Sequence, residues 1–380
     1  MYDLPFDEIY VLPCFIKSGR QFFVVQTGDR HDTMFLQRTV VNYREEEIPF
    51  YQGSMLKPPV VRVFKKDASV FRSWKVDTVY TADKCLDEHD FNYWKLKKFI
   101  TEDREREAIQ GKFEKYFQPL KDMFIELACE SQYPYVTQIA FTNFCVKCDI
   151  PNSRVKTKDC ERFYIAALYT ENSKSRMNHI CRYMFFEALV RLAMARYAYK
   201  DGPAGTPSEA FEMLIQEKLL KHAMPYNWQP FREETIWTVE VNDTFEANRS
   251  ALSQLYRQYV QSHRKAMGMD DAIRLFIVNV DLGLAEKQIM YAYGMSKMTV
   301  IYEKDKKYAS AYSELEFVEF LEMIARLAYM KFIGSEIEDE TSMADKIGFV
   351  LDAILPVIDK VRNEVNLDEE GDDYSSDDPY

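Results

Sequence analysis

The chain has 380 residues, 47% of them apolar and 29% charged, with a formal net charge of −12. That is enough apolar material for two helical cores and too much charge for a membrane protein, while 26 Phe and 25 Tyr exclude a fully disordered, collagenous or rod-like coiled-coil chain. Only 12 glycines argue against folds built on glycine-rich phosphate loops, and the acidic balance argues against nucleic acid, whose affinity comes mainly from phosphate neutralisation.

Residues 1–80 are interrupted by Pro5, Pro13, Pro49, Pro58 and Pro59, which stop every potential helix. Between them lie short β-prone runs, Phe22-Phe23-Val24-Val25 and Val60-Val61-Arg62-Val63-Phe64. The expectation is an extended arm that orders on a partner surface; the alternative is a small irregular β-subdomain. The start, MYDLPFDEIY, lacks an apolar signal core, and the seven cysteines read as reduced intracellular thiols.

The arm carries the candidate partner-binding residues Arg62, Lys65, Lys66, Phe71, Arg72, Trp74 and Lys75, continued by Trp94 and Lys95. Basic groups interleaved with aromatics suit an acidic protein surface, since Arg and Trp are enriched at interfaces. The same pattern also arises from side chains snorkelling beside a core.

Residues 81–112 read as a helical lead-in, with Thr101 ahead of Glu102-Asp103 as a plausible N-cap. An internal repeat follows, at one constant offset set by the distance from Phe113 to Phe245. Phe113, Glu114 and Leu120 recur as Phe245, Glu246 and Leu252; Ala140, Phe144, Val146 and Asp149 as Ala272, Phe276, Val278 and Asp281. Phe185, Glu187, Leu189, Ala193 and Tyr197 recur as Phe317, Glu319, Leu321, Ala325 and Tyr329. Apolar spacing gives four or five helices per repeat, including one that starts near Pro119 and one that opens at Thr206-Pro207. The predicted fold is all-α: repeats over 113–225 and 245–366, a last helix from Met343 to Val365, and a disordered acidic tail over 367–380. The tail's serines suit an acidophilic kinase.

Tyr183-Met184-Phe185-Phe186-Glu187 and Leu315-Glu316-Phe317-Val318-Glu319 share the pattern of a calcium-loop exit, where an apolar residue at position 8 pairs between loops and a Glu at position 12 chelates. Counting back from Glu319 puts Tyr308, Ser310 and Tyr312 at positions 1, 3 and 5, and counting back from Glu187 puts Arg176, Asn178 and Ile180 there. One Glu with so few oxygen partners does not make a calcium site, so no metal is expected.

These residues resemble the degenerate, calcium-free EF-hand-like tandem repeats of ciliary and flagellar axonemal proteins, and are more distantly similar to the tubulin polymerisation-promoting family. Carrying the resemblance are Phe144 with Cys148-Asp149-Ile150, the stretch from Phe185 to Ala193, and their counterparts Phe276, Val280-Asp281-Leu282 and Phe317 to Ala325. Val70–Thr78 and Asp90–Lys95 resemble the lead-in to such domains. The resemblance implies two EF-hand-like helical domains. It also implies a non-enzymatic structural role on microtubules of a cilium, with tubulin and axonemal proteins as partners and no cofactor, small-molecule substrate, membrane or nucleic acid. A calcium-responsive adaptor is the alternative.

Cys145-Val146-Lys147-Cys148 is a CxxC, with Cys160, Cys181 and His179 downstream, but no second CxxC or HxxxH follows. Buried thiols in an apolar helix are the expectation. The five histidines show no metal or triad spacing, and no GxSxG, P-loop or GxGxxG occurs, so no enzyme is expected.

Overall fold

The structure, a computed structural model, describes residues 9–17, 20–27, 33–37, 62–86, 95–168, 179–199, 202–223, 228–303 and 307–358. The acidic tail over 367–380 lies outside them. The chain divides into two compact units, Met1–Arg62 and Val63–Tyr380.

In the first unit, three strands form an antiparallel meander: β1 (Ile9–Lys17), β2 (Arg20–Thr27) and β3 (Thr33–Gln37), in that order. Residues expected to lie in an extended arm are thus paired into a sheet. The β-prone run Phe22–Val25 takes the central strand, pairing with Phe23 opposite Pro13 on one side and Leu36 on the other. Pro13 lies on an edge strand, where a missing N–H is tolerated, and the register slips beside it, between Pro13 and Phe15.

The second unit is helical. In chain order its α-helices of four residues or more, among the described residues, are α1 (Val79–Lys84), α2 (Asp103–Cys129), α3 (Gln138–Lys147), α4 (Thr157–Leu168), α5 (Arg182–Ala193) and α6 (Pro207–Leu214). They continue with α7 (Trp228–Phe231), α8 (Val239–Ala247), α9 (Arg249–Tyr259), α10 (Met269–Ile273), α11 (Glu286–Met295), α12 (Ala309–Ser313), α13 (Phe317–Phe332) and α14 (Met343–Ile354). Wider π-type turns extend α5, α6, α7 and α10. Thr137, Thr206, Thr238 and Ser342 cap their helices through the side chain, and Pro207 takes the first turn of α6, where no amide is missed. Glu102, rather than Thr101, precedes α2, and caps it without a side-chain bond. No helix among the described residues is long and apolar enough to cross a membrane.

Two cores form. One gathers Phe113, Phe124, Phe141, Phe185, Phe186 and Phe211 from α2 to α6; the other gathers Phe245, Phe276, Phe320 and Leu351 from α8 to α14. The halves around them share unusual details. The chain leaves helical geometry inside α2 at Tyr116 (φ −112°, ψ 15°) and between α8 and α9 at Asn248 (φ −106°, ψ 6°), the same spacing that separates Phe113 from Phe245. With α8 and α9 counted together as the partner of α2, and the short α12 counted as part of its loop, the second and fourth helices of each half are entered through a two-residue antiparallel bridge, Val136 with Ile180 and Met267 with Leu315. Val136 N–H donates to Ile180 O at 2.9 Å and Ile180 N–H to Val136 O at 3.1 Å; the Met267–Leu315 bonds are 3.1 and 2.7 Å.

The bridges fix a register that differs from the sequence offset. Ile180, three residues before Tyr183, is the pairing residue and its counterpart is Leu315. The fourth helices therefore correspond one helical turn further along than the repeat suggests, and Glu187 matches Glu322, not Glu319. Side-chain contacts agree. Glu187 Oε1 accepts from Arg191 Nε at 3.0 Å, and Glu322 Oε1 from Arg326 Nε at 2.9 Å. Each guanidinium covers an aromatic ring from its own half's lead-in: Arg191 on Phe99 at 4.3 Å, Arg326 on Trp228 at 4.1 Å. Arg191 therefore has a counterpart in Arg326.

Candidate functional site

The residues expected to bind a partner part company in the structure. Phe71 is fully buried and Trp74 is 3% exposed; both belong to the core of the second half, not to a sticky surface. Phe71 packs edge-on against Phe245 at 5.8 Å, and Arg232 sits over the Trp74 ring at 4.8 Å. The segment Lys65–Asp77 is a strap across that half: Val70 N–H donates to Asn242 Oδ1 at 3.0 Å, and Lys66 Nζ to Trp74 O at 2.9 Å. An aromatic pair spaced by three residues beside a compact turn buries apolar area that an exposed arm would leave in water.

Lys95 is also an internal tie, its Nζ donating to Ala166 O at 2.8 Å and its backbone N–H to Glu187 Oε2 at 3.0 Å. Trp94 lies outside the described residues. Lys65, Arg72 and Lys75 are exposed on the strap, and Arg62 is exposed at the end of the other unit. Exposed Val79 and Tyr80 open the first turn of α1 just after it. The basic outer face of the strap, Lys65, Arg72 and Lys75, is what remains of the expected binding set there.

The strap ends in a tie that reaches both halves. Asp77 Oδ2 accepts from Lys121 Nζ of α2 at 2.5 Å and from Thr299 Oγ1 at 2.7 Å. Burial pushes the Asp77 carboxyl up, but the Lys121 charge and the hydrogen bonds from Lys121 and Thr299 outweigh it and hold the group below the ordinary Asp value. Next to it, Asp122 is raised by burial, with Gln118 Nε2 at 3.0 Å from both oxygens and Lys121 Nζ only at 4.0 Å. A second tie joins Arg182 of α5 to Glu303, Nε to Oε1 at 3.0 Å, with burial raising the carboxyl.

The loop carboxylates are engaged by cations of the chain itself. Glu319 Oε2 accepts from Lys297 Nζ at 2.7 Å and from Glu316 N–H at 2.6 Å, while Oε1 accepts from Met298 N–H at 2.7 Å. Burial raises the Glu319 carboxyl against the pull of Lys297. Asp271 accepts from Arg264, Gln261 and Gly268 N–H at 3.1, 2.9 and 2.9 Å. Glu322 takes Arg232 Nε at 2.9 Å as well as Arg326. Sequence reasoning missed Lys297, Arg264 and Arg232, because their partners lie 7 to 90 residues away and no local pattern marks them.

Cys145, Cys148, Cys160 and Cys181 are all buried. Burial pushes the Cys148 thiol up to about 12 and holds the Cys145 thiol well above its ordinary value, while the hydrogen bond from Cys145 lowers Cys160. No three His, Cys, Asp or Glu groups converge as a metal set among the described residues. A groove of about 520 Å³ runs between α2 and α3, floored by Met123, Leu127 and Phe144 and edged by Glu126, Glu130 and Lys147.

No protein-family model matches the chain, and no curated protein matches it.

Proposed function

We propose that the chain is a non-enzymatic structural component of a microtubule-based assembly, the doublet microtubules of a ciliary axoneme being the most specific reading. In this reading each half is a pair of EF-hand-like helix–loop–helix units that hold their shape without calcium. One observation carries it: in both halves two loops are joined by a single antiparallel bridge, as paired EF-hand loops are, and in the second half the carboxylates beside the bridge are bound to the chain's own Lys and Arg. With Val136, Ile180, Met267 and Leu315 at loop position 8, position 12 is Ala140, Met184, Asp271 and Glu319. The first half has no chelating carboxylate at that position, and the second half has two that are already paired.

A body braced by internal ion pairs is suited to act as a spacer of fixed shape. The basic strap face of Lys65, Arg72 and Lys75 offers contacts to an acidic protein surface such as tubulin, for which electrostatic complementarity supplies on-rate and orientation. A tagged copy expressed in a ciliated cell tests the reading: it predicts signal along the axoneme that survives detergent extraction. Diffuse cytosolic signal washed out by detergent contradicts it.

A further inference from the structure

We infer that the Lys297 ammonium takes the place of a divalent cation in the loop of residues 308–319, so that this loop carries its own cation rather than drawing one from solution. The inference rests on the EF-hand-like reading of that loop. In a calcium loop the backbone carbonyl of position 7 and the carboxylate of position 12 both face the ion. With Leu315 at position 8, these are Glu314 O and the Glu319 side chain. Lys297 Nζ hydrogen-bonds both of them, lying 2.7 Å from Glu319 Oε2. The Lys297 side chain is 4% exposed and that of Glu319 is 2% exposed, so the ammonium sits inside the loop rather than over it.

Charge makes the choice of cation intelligible. A calcium loop brings several carboxylates to a doubly charged ion, whereas positions 1, 3 and 5 here are Tyr308, Ser310 and Tyr312. A single buried carboxylate balances a single ammonium in full, whereas a divalent ion there would keep excess charge and bind only weakly, at millimolar levels. The loop paired with it repeats the device in another form: Arg264, at position 5, donates to Asp271 at position 12 at 3.1 Å. The ligand class follows from the donors left behind. Without the ammonium, one carbonyl and one carboxylate remain as a cradle for a small hard cation.

The test uses the full chain, Lys297→Ala, and Lys297→Ala with Glu319→Gln, the last removing the carboxylate that Lys297→Ala strands. Thermal unfolding is followed in about 10 mM calcium chloride, a level that saturates weak extracellular-type sites. Sodium chloride of equal ionic strength is the control, and ethylammonium chloride is run in parallel. The unaltered chain is expected to show the same midpoint in calcium and in sodium. Lys297→Ala is expected to unfold at lower temperature and to regain at least half of that loss in calcium, and the double variant to regain none. Recovery in calcium no greater than in sodium overturns the inference, as does equal recovery by the double variant, recovery with ethylammonium alone, or a Lys297→Ala chain that stays unfolded in every salt. Axonemal localisation is scored separately. Its loss in the unaltered chain overturns the functional reading, whereas failed calcium recovery with localisation intact overturns only the assignment of Lys297.

Discussion

Tyr164 and Tyr293 hold equivalent places in the two halves: the Tyr164 hydroxyl donates to Val136 O at 2.9 Å, and the Tyr293 hydroxyl lies 2.8 Å from Met267 O. Each tyrosine is the eighth residue of the third helix of its half, and each reaches the carbonyl of the residue that pairs across its own loop bridge. Tyr293 also reaches Ser313 O at 2.7 Å, so it ties both loops of its half. Burial lifts the Tyr164 hydroxyl to about 12 and Tyr293 higher, which keeps both protonated and donating.

Removing either hydroxyl should therefore loosen a bridge. Tyr164→Phe is expected to lower stability by about 1 kcal/mol and Tyr293→Phe by roughly 1–2 kcal/mol, because a buried carbonyl loses one of its two donors, the bridge N–H remaining. Urea midpoints of the two variants check this. A Tyr293→Phe chain as stable as the parent would remove the tyrosine from the account.

The two halves meet where α11 crosses α2, and Gly294 makes that crossing possible. A Cβ at position 294 would overlap Cys129 Sγ and come within 3.2 Å of Ile125 Cγ2 and 3.3 Å of Tyr133 Cε2. Gly294→Ala is expected to cost roughly 1–3 kcal/mol by overpacking. Adding Cys129→Ala should return much of the loss, since the new methyl then fills the space of the thiol. Denaturant unfolding of the two single variants and the double gives the coupling directly, and simple additivity would contradict this contact.

Asp77 and Asp122 flank Lys121, and their carboxyls are shifted in opposite directions. The lowered Asp77 carboxyl contributes stability that is present above its unfolded value near 3.8 and lost as pH falls through its folded value. The raised Asp122 carboxyl does the reverse: its charged form is a burden above its folded value that disappears as pH falls toward 3.8. Asp77→Asn is thus expected to lower the unfolding midpoint at pH 7, and Asp122→Asn to leave it unchanged or raise it. Midpoints measured from pH 7 to pH 4 should show Asp122→Asn losing its advantage as the pH drops. Destabilisation of equal size by both variants at pH 7 would contradict the assignment.

The strap separates packing from contact. Phe71→Ala or Trp74→Ala is expected to destabilise the second half by about 3–5 kcal/mol, the range for emptying a buried aromatic site. Lys65, Arg72 and Lys75 replaced together by Glu should leave the unfolding midpoint nearly unchanged, because all three are exposed, yet weaken salt-sensitive binding to microtubules in a pelleting assay. Pelleting unaffected by the triple replacement would take the strap face out of the binding proposal.

Much of this architecture is legible in the sequence, and the gaps have identifiable causes. The repeat shows in Phe113 with Phe245 and Phe144 with Phe276, pairs of equal spacing that take matching places in the structure's two cores. The fourth helices mislead because Phe185-x-Glu187 and Phe317-x-Glu319 also match at that spacing. The better match was readable: from Phe185 to Ala193 against Phe320 to Ala328, five of nine residues agree, against four at the shorter spacing. The α11 helix goes unnoticed because it starts closer to α4 than the repeat's offset allows, within a stretch that needs compensating gaps. The β-prone runs that open the chain carry their own propensity, but pairing depends on partners that propensity does not name. Phe71 and Trp74 read as sticky because their host, around Phe245 and Asn242, lies far downstream in the sequence. The binding set is legible in its charges only.

Exchange of the amide hydrogens of Val136, Ile180, Met267 and Leu315, measured in a chelator and again in calcium, reads the closure of both loop pairs at the atoms that make it. The account predicts that all four are strongly protected in the chelator and that calcium changes none of them. Fast exchange in the chelator with protection restored by calcium would mean that the loops wait for an ion, and would contradict the account.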